Sequence, residues 1–567
     1  MFFFLRKISF LLFVSILFSL NISAQFTKYI VKFKDKTGTP FSINNPIQFL
    51  SAKAIARRAK QHIAVDETDL PVVPRYIDSV RLAGNIIILD QSKWLNQICI
   101  ETTDSAALQK INSFSFVLKT EPVKRMGKRF NERDNFITRD KFNERINNIT
   151  SVLSPAGNYY SYGNSFTQVH IHNGEYLHNK GFHGEGMLIA IIDAGFYHYK
   201  TLPAFDSVNL KSQVVETHDF VANETSVNED NSHGMMCFSI IAANLPGQFV
   251  GTCPNADFLL YRSEDVSSES PVEEQYWIAA AERADSAGAD VITTSLGYDL
   301  FDNPVFNYAY ADMNGHTSMI AKAATIAARK GVIVLAAAGN EGDNSWHFIT
   351  TPADADSILA VGAVNASGTP ADFSSYGPSS DGRVKPDVAS VGKGTVISDV
   401  SGTVSSGNGT SFATPNLAGL VTCLWQAFPE FSNMEIIKAV EQSSSIFNSP
   451  DNRIGYGIPD FKKAFDDLQQ QQILKNATSI LGNNSIKVYP NPFKDNFTVL
   501  IRPEQTSTGI FKLFDISGKL YFTKQVSFQK GIIAVINFDK IQPLQKGMYI
   551  LKFSDGKSKE SFKLMVQ

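Results

Sequence analysis

The chain has 567 residues, which is too long for one hydrophobic core and suits about three or four domains. With 43% hydrophobic and 19% charged residues, its composition is that of an ordinary globular protein. The formal net charge of −3 argues against a nucleic-acid-binding protein, and four cysteines are too few for a disulfide scaffold.

Residues 1–24 are predicted to be an export signal. Arg6 and Lys7 precede an apolar run, Ile8–Leu20, and Ile22-Ser23-Ala24 offers small residues for cleavage. Because the run is short for a membrane span, we favour a cleaved signal over an uncleaved anchor. No later stretch of the sequence is long and apolar enough to cross a bilayer.

Residues 25–150 are predicted to form a small α+β region followed by a charged linker. Its patterns predict, in order, a strand at Lys28–Phe33, a basic helix at Ala52–Gln61, a strand at Trp94–Ile100 and a helix at Ala106–Ile111. From Pro122 to Ile149 the chain is dense in polar residues of both charge signs. This composition is typical of a solvated linker and argues against a basic nucleic-acid patch.

Residues 155–468 alternate apolar strands with helices. This alternation predicts an α/β domain in which helices cover both faces of a parallel sheet. The predicted strands are Leu188–Asp193, Asp257–Arg262, Val291–Ser295, Val332–Ala337 and Ile358–Val364. The predicted helices are His233–Ala243, Val272–Ser286, Thr317–Lys330, Ser411–Phe428 and Asn433–Ser443.

Four polar residues stand at the points where such a sheet binds ligands. Asp193 ends an apolar strand, His233 lies in the first turn of a helix, and Asn340 follows a strand and a glycine. Ser411 starts a helix, whose unpaired N–H groups and positive dipole end suit a nucleophile that creates an oxyanion. Each residue alone also has an ordinary structural interpretation, as a cap, a turn or a core residue.

Together and in this order, these four stretches resemble the motifs of the subtilisin-like serine peptidases, the subtilases. The resemblance extends over roughly residues 160 to 465. It implies a triad of Asp193, His233 and Ser411, with Asn340 as an oxyanion donor. The chain order Asp, His, Ser is that of subtilisin and differs from the order in α/β-hydrolase esterases.

The same resemblance implies a peptide-binding cleft. Ser295-Leu296-Gly297 matches the strand on which the substrate adds main chain to main chain, with Leu296 lining an apolar pocket. Gly297, Ala338 and Gly339 match the pocket for the residue before the scissile bond. We expect an apolar preference there, because no acidic residue stands out in the matching segments.

The departures from the family bear on rate more than on class. Ala194 stands where subtilases usually have Ser or Thr, which predicts a missing hydrogen bond to the catalytic carboxylate. Cys237, one helical turn past His233, should lie beneath it, and a disulfide to Cys253 is conceivable in an exported protein. No further Cys/His cluster supports a metal site there. The reaction requires no cofactor; subtilases often bind structural calcium, although no carboxylate loop here matches a known site.

The N-terminal α+β region resembles, by position and pattern, the subtilase propeptide that aids folding and inhibits temporarily. This implies maturation cleavage near residues 150 to 160. A polar segment, residues 469–484, is predicted to be a linker. From residue 485 the pattern changes to short alternating strands, which predict a small β-sandwich. These strands are predicted at Phe497–Arg502, Ile510–Phe514, Leu520–Phe522, Ile532–Phe538 and Tyr549–Phe553.

Three short motifs of this C-terminal region resemble those of the C-terminal sorting domain of the type IX secretion system. They are Val488–Phe493, the Ser517-Gly518-Lys519 turn and Gly547-Met548-Tyr549. The resemblance implies export through the periplasm, outer-membrane secretion machinery as a partner, and a secreted or cell-surface protein. The alternative is a carbohydrate- or protein-binding accessory module.

The sequence therefore predicts a secreted serine endopeptidase, made as an autoprocessed precursor and acting on protein or peptide substrates. Nothing in the sequence demands an oligomer, so we expect a monomer. The alternative is a catalytically weak peptidase-fold protein for surface binding or adhesion. The four retained catalytic positions argue against that alternative.

Overall fold

The computed structural model describes residues 26–125, 146–149, 155–539 and 544–567. The chain divides into two compact units, Met1–Phe465 and Asp466–Gln567. The predicted signal, most of the predicted charged linker and part of the predicted maturation site lie outside the described residues. Within the described ranges, no helix has the length and apolar character that a membrane crossing needs.

The N-terminal part of the first unit is an antiparallel sheet with helices. Its strands are β1 (Phe26–Phe33), β2 (Ile87–Ser92), β3 (Gln97–Glu101) and β4 (Val117–Arg125), in the sheet order β2-β3-β1-β4. Its helices are α1 (Ala52–Lys60), α2 (Pro74–Arg81) and α3 (Ser105–Ser113). The strand predicted from Trp94 begins only at Gln97, because residues 93–96 form the turn between β2 and β3, with Asn96 at φ +51°.

The larger part of this unit contains the predicted parallel sheet. Its strands are β5 (Asn147–Asn148), β6 (Leu188–Asp193), β7 (Val214–Asp219), β8 (Asn244–Leu245), β9 (Phe249–Val250), β10 (Asp257–Arg262), β11 (Val291–Thr294), β12 (Ile333–Ala337), β13 (Leu359–Asn365), β14 (Val388–Ser398) and β15 (Val404–Asn408). The helices are α4 (Phe166–His170), α5 (Glu175–Asn179), α6 (Asp206–Leu210), α7 (His233–Ala242), α8 (Val272–Ala287), α9 (Met319–Arg329), α10 (Thr410–Ala427) and α11 (Asn433–Ser443).

The main sheet has the order β5-β15-β14-β13-β12-β11-β6-β10-β7 among the described strands. It is parallel from β14 to β7, and β15 and β5 add antiparallel strands at one edge. The five predicted strands are confirmed to within a residue at each end. β7, β14 and β15 were not predicted, because polar residues and glycines interrupt their apolar pattern.

Alternation along the buried strands places helices on both faces of the sheet. Leu188, Ala190 and Ile192 of β6 share one apolar core with α8 and α9. The intervening residues face the opposite side, where α7 and α10 pack against each other and α10 contacts β11 to β14. The C-terminal ends of the neighbouring strands β12, β11 and β6 therefore meet at one edge, beside the N-termini of α7 and α10.

The N-terminal sheet covers α8 of the larger part. One face of this sheet packs against α2 and α3. From the other face, Ile30 and Cys99 pack with Val272 and Tyr276 of α8. A buried carboxylate of α8, Glu282, accepts hydrogen bonds from Ser92 Oγ at 2.5 Å and from the backbone N–H groups of Lys93 and Trp94 at 2.8 and 3.0 Å.

A buried ion network joins α1 to the same surface. Asp285 of α8 contacts Arg57 at 2.5 Å and Arg58 at 2.6 Å. Arg58 also contacts Asp69 at 2.7 Å, and Asp69 contacts Lys330 at 2.9 Å. Burial alone would raise the pKa of Asp69, but Arg58 and Lys330 outweigh it and hold that pKa below its ordinary value. The interface is therefore specified by charge pairing as well as by apolar packing.

The C-terminal unit is a β-sandwich, as predicted. Helix α12 (Phe461–Leu481) crosses the boundary between the units, so the predicted linker is helical as far as Leu481. The strands are β16 (Ile486–Tyr489), β17 (Phe497–Ile501), β18 (Ser507–Asp515), β19 (Leu520–Phe528), β20 (Ala534–Phe538), β21 (Gly547–Ser554) and β22 (Lys559–Val566). Sheets β16-β17-β20 and β19-β18-β21-β22 are antiparallel and share one apolar core.

Breaking the ion network should destabilise the packed N-terminal part. Removing one partner of a buried pair leaves an uncompensated charge, so Arg58→Met should lower the free energy of unfolding by about 3–5 kcal/mol. Denaturant unfolding of the full chain, carrying Ser411→Ala to prevent the predicted self-cleavage, measures this. Arg81→Met is the control, because its pair with Asp78 is exposed, at 54% and 60%, and should contribute less than about 1 kcal/mol. Equal effects of the two substitutions would contradict the prediction.

Candidate active site

Asp193 and His233 form a fully buried hydrogen-bonded pair. Asp193 ends β6 and His233 begins α7; both side chains are 0% exposed. His233 Nδ1 donates to Asp193 Oδ1 at 2.6 Å, and the backbone N–H of Ala194 donates to the same oxygen at 2.7 Å. These contacts fix the orientation of the imidazole ring and assign its Nδ1 as a proton donor.

The second carboxylate oxygen of Asp193 lacks the hydrogen bonds that the first one makes. Oδ2 is buried and has no hydrogen-bond partner among the residues that the structure describes. Ala194 offers only a methyl group next in the chain, in agreement with the hydrogen bond expected to be missing. An unsatisfied buried acceptor costs free energy, because the oxygen has lost its hydrogen bonds to water without gaining one from the protein.

Glycine at position 234 is required by close packing beneath the pair. A Cβ there would lie 2.7 Å from Asp193 Cβ and 2.6 Å from the carbonyl oxygen of Gly195. The first turn of α7 can therefore approach the end of β6 only without a side chain at residue 234.

Ser411 lies in the first turn of α10, and its main chain is bound to the cleft. Its carbonyl oxygen accepts from Ser295 Oγ at 2.8 Å and from Cys237 Sγ at 3.3 Å. Its own Oγ donates to the carbonyl oxygen of Ser295 at 3.3 Å, and not to His233. Helix α7 places His233 nearby, since its ring lies 6.3 Å from the ring of Phe412, the residue after the serine.

Asn340 is oriented by the residue before Ser411. Its Oδ1 accepts from the backbone N–H of Thr410 at 2.8 Å and from Thr410 Oγ1 at 3.0 Å. Because these donors hold the oxygen end of the amide, the two Nδ2 hydrogens point away from Thr410. The backbone N–H of Ser411 has no acceptor within the helix, since it belongs to the first turn. The structure thus brings two N–H sources to the start of α10.

The floor of the cleft contains a residue that the sequence analysis missed. Thr350 is 3% exposed, and its backbone N–H donates to Ala338 at 3.0 Å. Its Oγ1 would lie 2.2 Å from a Cβ at Gly297 and 3.0 Å from a Cβ at Gly339, so it fills the space between these glycines. Within the described part of the chain this buried hydroxyl has no hydrogen-bond partner.

Of the predicted cleft residues, Leu296 is 3% exposed and packs in the main core. Its role in lining an apolar pocket stays a prediction. Gly297 is exposed, and Ala338 is buried against Ile349. The segments that carry Gly297 and Gly339 both approach Thr350 closely.

The structure also bears on the conceivable disulfide at Cys237 and on possible cation ligands. A disulfide between Cys237 and Cys253 is not formed, because Cys237 contacts Ser411 and Cys253 lies against Cys423. Three carboxylates lie within 4.8 Å of one another, from Glu264, Glu269 and Glu273. Protein donors already bind some of their oxygens, among them the Tyr298 hydroxyl and the backbone N–H of Ser270. Structural calcium stays a prediction.

Family models match three successive regions of the chain. One described as the subtilase family matches residues 184–457, and one described as a peptidase S8 propeptide domain of Bacteroidota matches residues 28–139. A third, described as a secretion system C-terminal sorting domain, matches residues 487–567. These regions agree with the three parts that the fold shows.

Curated relatives match the larger part of the first unit. Subtilisin of Bacillus pumilus is 30% identical over 278 residues, 48% of this chain and 89% of that protein. A thermophilic serine proteinase of Bacillus sp. (strain AK1) is 31% identical over 276 residues, and subtilisin NAT of Bacillus subtilis subsp. natto is 31% identical over 274 residues. The chain spans only 60% and 63% of the length of the latter two, and they match 48% and 47% of it.

Filling the space at Gly234 should disrupt the Asp193–His233 pair. Gly234→Ala would overpack a closed site, which costs about 1–3 kcal/mol, and should lower the thermal unfolding midpoint. Ser232→Ala is the control, because this neighbouring side chain makes no capping hydrogen bond. A midpoint for Gly234→Ala equal to that of the control would contradict the close packing described here.

Proposed function

The chain belongs to the subtilase family, and on that premise we propose that it is a secreted serine endopeptidase with Ser411 as its nucleophile. The observation that carries the proposal is the buried hydrogen bond between His233 and Asp193 beside the start of the Ser411 helix. In the proposed mechanism Nε2 of His233 accepts the serine proton and later gives it to the leaving amine. Asp193 stabilises the imidazolium that forms.

Before Ser411 can act as a nucleophile, its hydroxyl has to exchange its hydrogen-bond partner. Ser411 Oγ is held by the Ser295 carbonyl at 3.3 Å, a long hydrogen bond that rotation about the Cα–Cβ bond can exchange for one to His233. Catalytic hydrogen bonds are often long or misaligned before substrate binds. A substrate strand that binds along Ser295–Gly297 would occupy this carbonyl region and favour the exchange.

The oxyanion of the tetrahedral intermediate would bind to the Asn340 side-chain amide and the Ser411 backbone N–H. Thr410 supports this role, because it holds Asn340 Oδ1 and leaves Nδ2 as the donor. Loss of an oxyanion-hole asparagine costs about 10²–10³ in turnover, a value measured on subtilisin. Water-poor surroundings strengthen such donors, and Ser411 itself is only 5% exposed.

Two further parts of the chain support a precursor that is exported. Residues 28–139 match a propeptide domain, and in the fold this region covers α8. The C-terminal sorting domain indicates a secreted or cell-surface protein. We propose self-cleavage of the precursor, passage through the periplasm, outer-membrane secretion machinery as a partner, and a monomeric enzyme that needs no nucleic acid or cofactor.

A catalytically weak surface-binding or adhesion protein is the second candidate. Two observations favour it: the unsatisfied Oδ2 of Asp193, and a Ser411 hydroxyl that is bonded to Ser295. Both would slow proton transfer without changing the fold.

Self-processing distinguishes the two candidates. Residues 25–567 are expressed as wild type, as Ser411→Ala and as Ser161→Ala, an exposed serine that serves as control. We expect the wild type and the control to lose the region matched by the propeptide model, as seen by intact mass, and to hydrolyse casein. Ser411→Ala should do neither. Processing in all three variants, or in none with no casein hydrolysis, would contradict the proposal.

Thr350 should broaden the range of side chains that the enzyme accepts at the residue before the scissile bond. Its unpartnered hydroxyl offers one hydrogen bond to an uncharged polar side chain, beside the apolar preference expected from the sequence. Thr350→Val should therefore lower kcat/KM for peptides with Gln at that position, relative to Leu, by about tenfold, the value of one hydrogen bond. Thr350→Ser keeps the hydroxyl and should keep the ratio. An unchanged ratio in Thr350→Val would contradict this role.

A further inference from the structure

Cys253 and Cys423 place two thiols in direct contact inside the first unit. Their sulfur atoms are 3.5 Å apart, and both residues are 0% exposed. Cys253 lies in the segment between β9 and β10, and Cys423 lies in the C-terminal half of α10, 170 residues later. The contact is therefore made by the fold and not by sequence proximity.

The backbone around the pair holds the two segments close together. A Cβ at Gly419 would lie 2.0 Å from Thr252 Oγ1, so α10 and the segment of Cys253 approach each other as glycine alone allows. On the other side, a Cβ at Gly184 would lie 2.4 Å from Cys253 Sγ. Packing of this kind keeps the Cys253 sulfur directed at Cys423.

The other two cysteines have different surroundings. Cys99 lies in β3 of the N-terminal sheet, and Cys237 donates to the carbonyl oxygen of Ser411. Cys253 and Cys423 are thus the pair that the fold brings together.

We propose that Cys253 and Cys423 are the site of an intramolecular disulfide bond in the exported protein. A protein or small-molecule disulfide is the oxidant: its S–S bond is reduced to two thiols while the two cysteine thiols lose two electrons and two protons. One cysteine thiolate attacks the oxidant, forms a mixed disulfide and releases the first oxidant thiol. The other cysteine then attacks the protein sulfur of the mixed disulfide, which forms the Cys253–Cys423 bond and releases the second oxidant thiol. Because both sulfurs end up buried, the reaction belongs to the folding stage.

The compartment and the local chemistry favour this oxidation. The sorting domain indicates a secreted or cell-surface protein, and disulfides persist in such oxidising surroundings. A disulfide bond is about 2.0 Å long, so the sulfurs need to approach by about 1.5 Å from their 3.5 Å separation, which side-chain rotation can supply.

The neighbouring His178 distinguishes the two thiols. Its Nε2 donates to the Thr252 carbonyl at 3.0 Å and lies 3.9 Å from Cys423 Sγ. Burial raises the pKa of the Cys253 thiol. Burial acts in the same direction on Cys423, but contacts with Cys253 and His178 outweigh it and lower the pKa of that thiol. In the folded protein Cys423 is therefore the more acidic thiol of the pair.

The bond would connect the helix of the candidate nucleophile to the scaffold. Ser411 lies in the first turn of α10, so the cross-link would fix this helix to the segment before β10. Strand β10 pairs in parallel with β6, which ends at Asp193. Closing a loop of 170 residues also restricts the unfolded chain, which stabilises the fold.

Thiol counting on the exported chain tests the proposal. The full chain with Ser411→Ala is exported to a bacterial periplasm, denatured, alkylated with and without prior reduction, and mapped by mass spectrometry. We expect two alkylated cysteines without reduction, Cys99 and Cys237, and four after reduction, with a peptide that links residues 253 and 423. Four alkylated cysteines without reduction, or a link between other cysteines, would overturn the proposal.

Thermal unfolding with and without a reductant provides the second test. The reductant should lower the unfolding midpoint of the chain with Ser411→Ala by about 5 °C or more. Adding Cys253→Ser and Cys423→Ser should remove this response, whereas adding Cys99→Ser, the matched control, should keep it. A response that persists in the double serine variant would contradict the assignment.

Discussion

The hydrogen bond between His233 and Asp193 is the contact on which the rest of the site depends. It is possible because β6 delivers a carboxylate at its C-terminal end, and because Gly234 lets the first turn of α7 approach that end closely. Helix α7 in turn packs on α10 and supplies Cys237 to the Ser411 carbonyl. A small change in the position of β6, α7 or α10 would therefore move the imidazole, the serine and the cleft together.

The N-terminal part meets the enzyme scaffold through charge as well as through apolar surface. Glu282 and Asp285 of α8 are satisfied by backbone N–H groups and by arginines of this part. In the proposed maturation these carboxylates pass to water when the propeptide leaves, and a charged helix surface tolerates that change better than an apolar one. A polar interface of this kind can hold the precursor together specifically and still leave a surface that water solvates well after the propeptide has gone.

The sequence predicted most of what is local and little of what is distant. Apolar runs located five strands of the main sheet, and short motifs singled out Asp193, His233, Asn340 and Ser411 as candidate site residues. The hydroxyl of Thr350 was missed, because its position depends on tertiary packing against Gly297 and Gly339, which lie in two other segments. The contact between Cys253 and Cys423 was missed because the two residues are 170 positions apart in the chain. The deep burial of Leu296 was missed because a motif does not reveal how deeply a side chain is buried. Polar residues interrupt β7, and glycines and polar residues interrupt β14 and β15, so the structure of these strands depends on their neighbours in the sheet.

Covalent labelling tests most directly whether the buried Asp193–His233 pair makes Ser411 a nucleophile. The full chain is incubated with an organophosphorus fluoride that reacts with activated serines, and its peptides are examined by mass spectrometry. We expect one adduct, on Ser411. It should be lost when His233→Ala removes the base, while circular dichroism shows that the fold is retained. No adduct on Ser411, or equal labelling with and without His233, would contradict it.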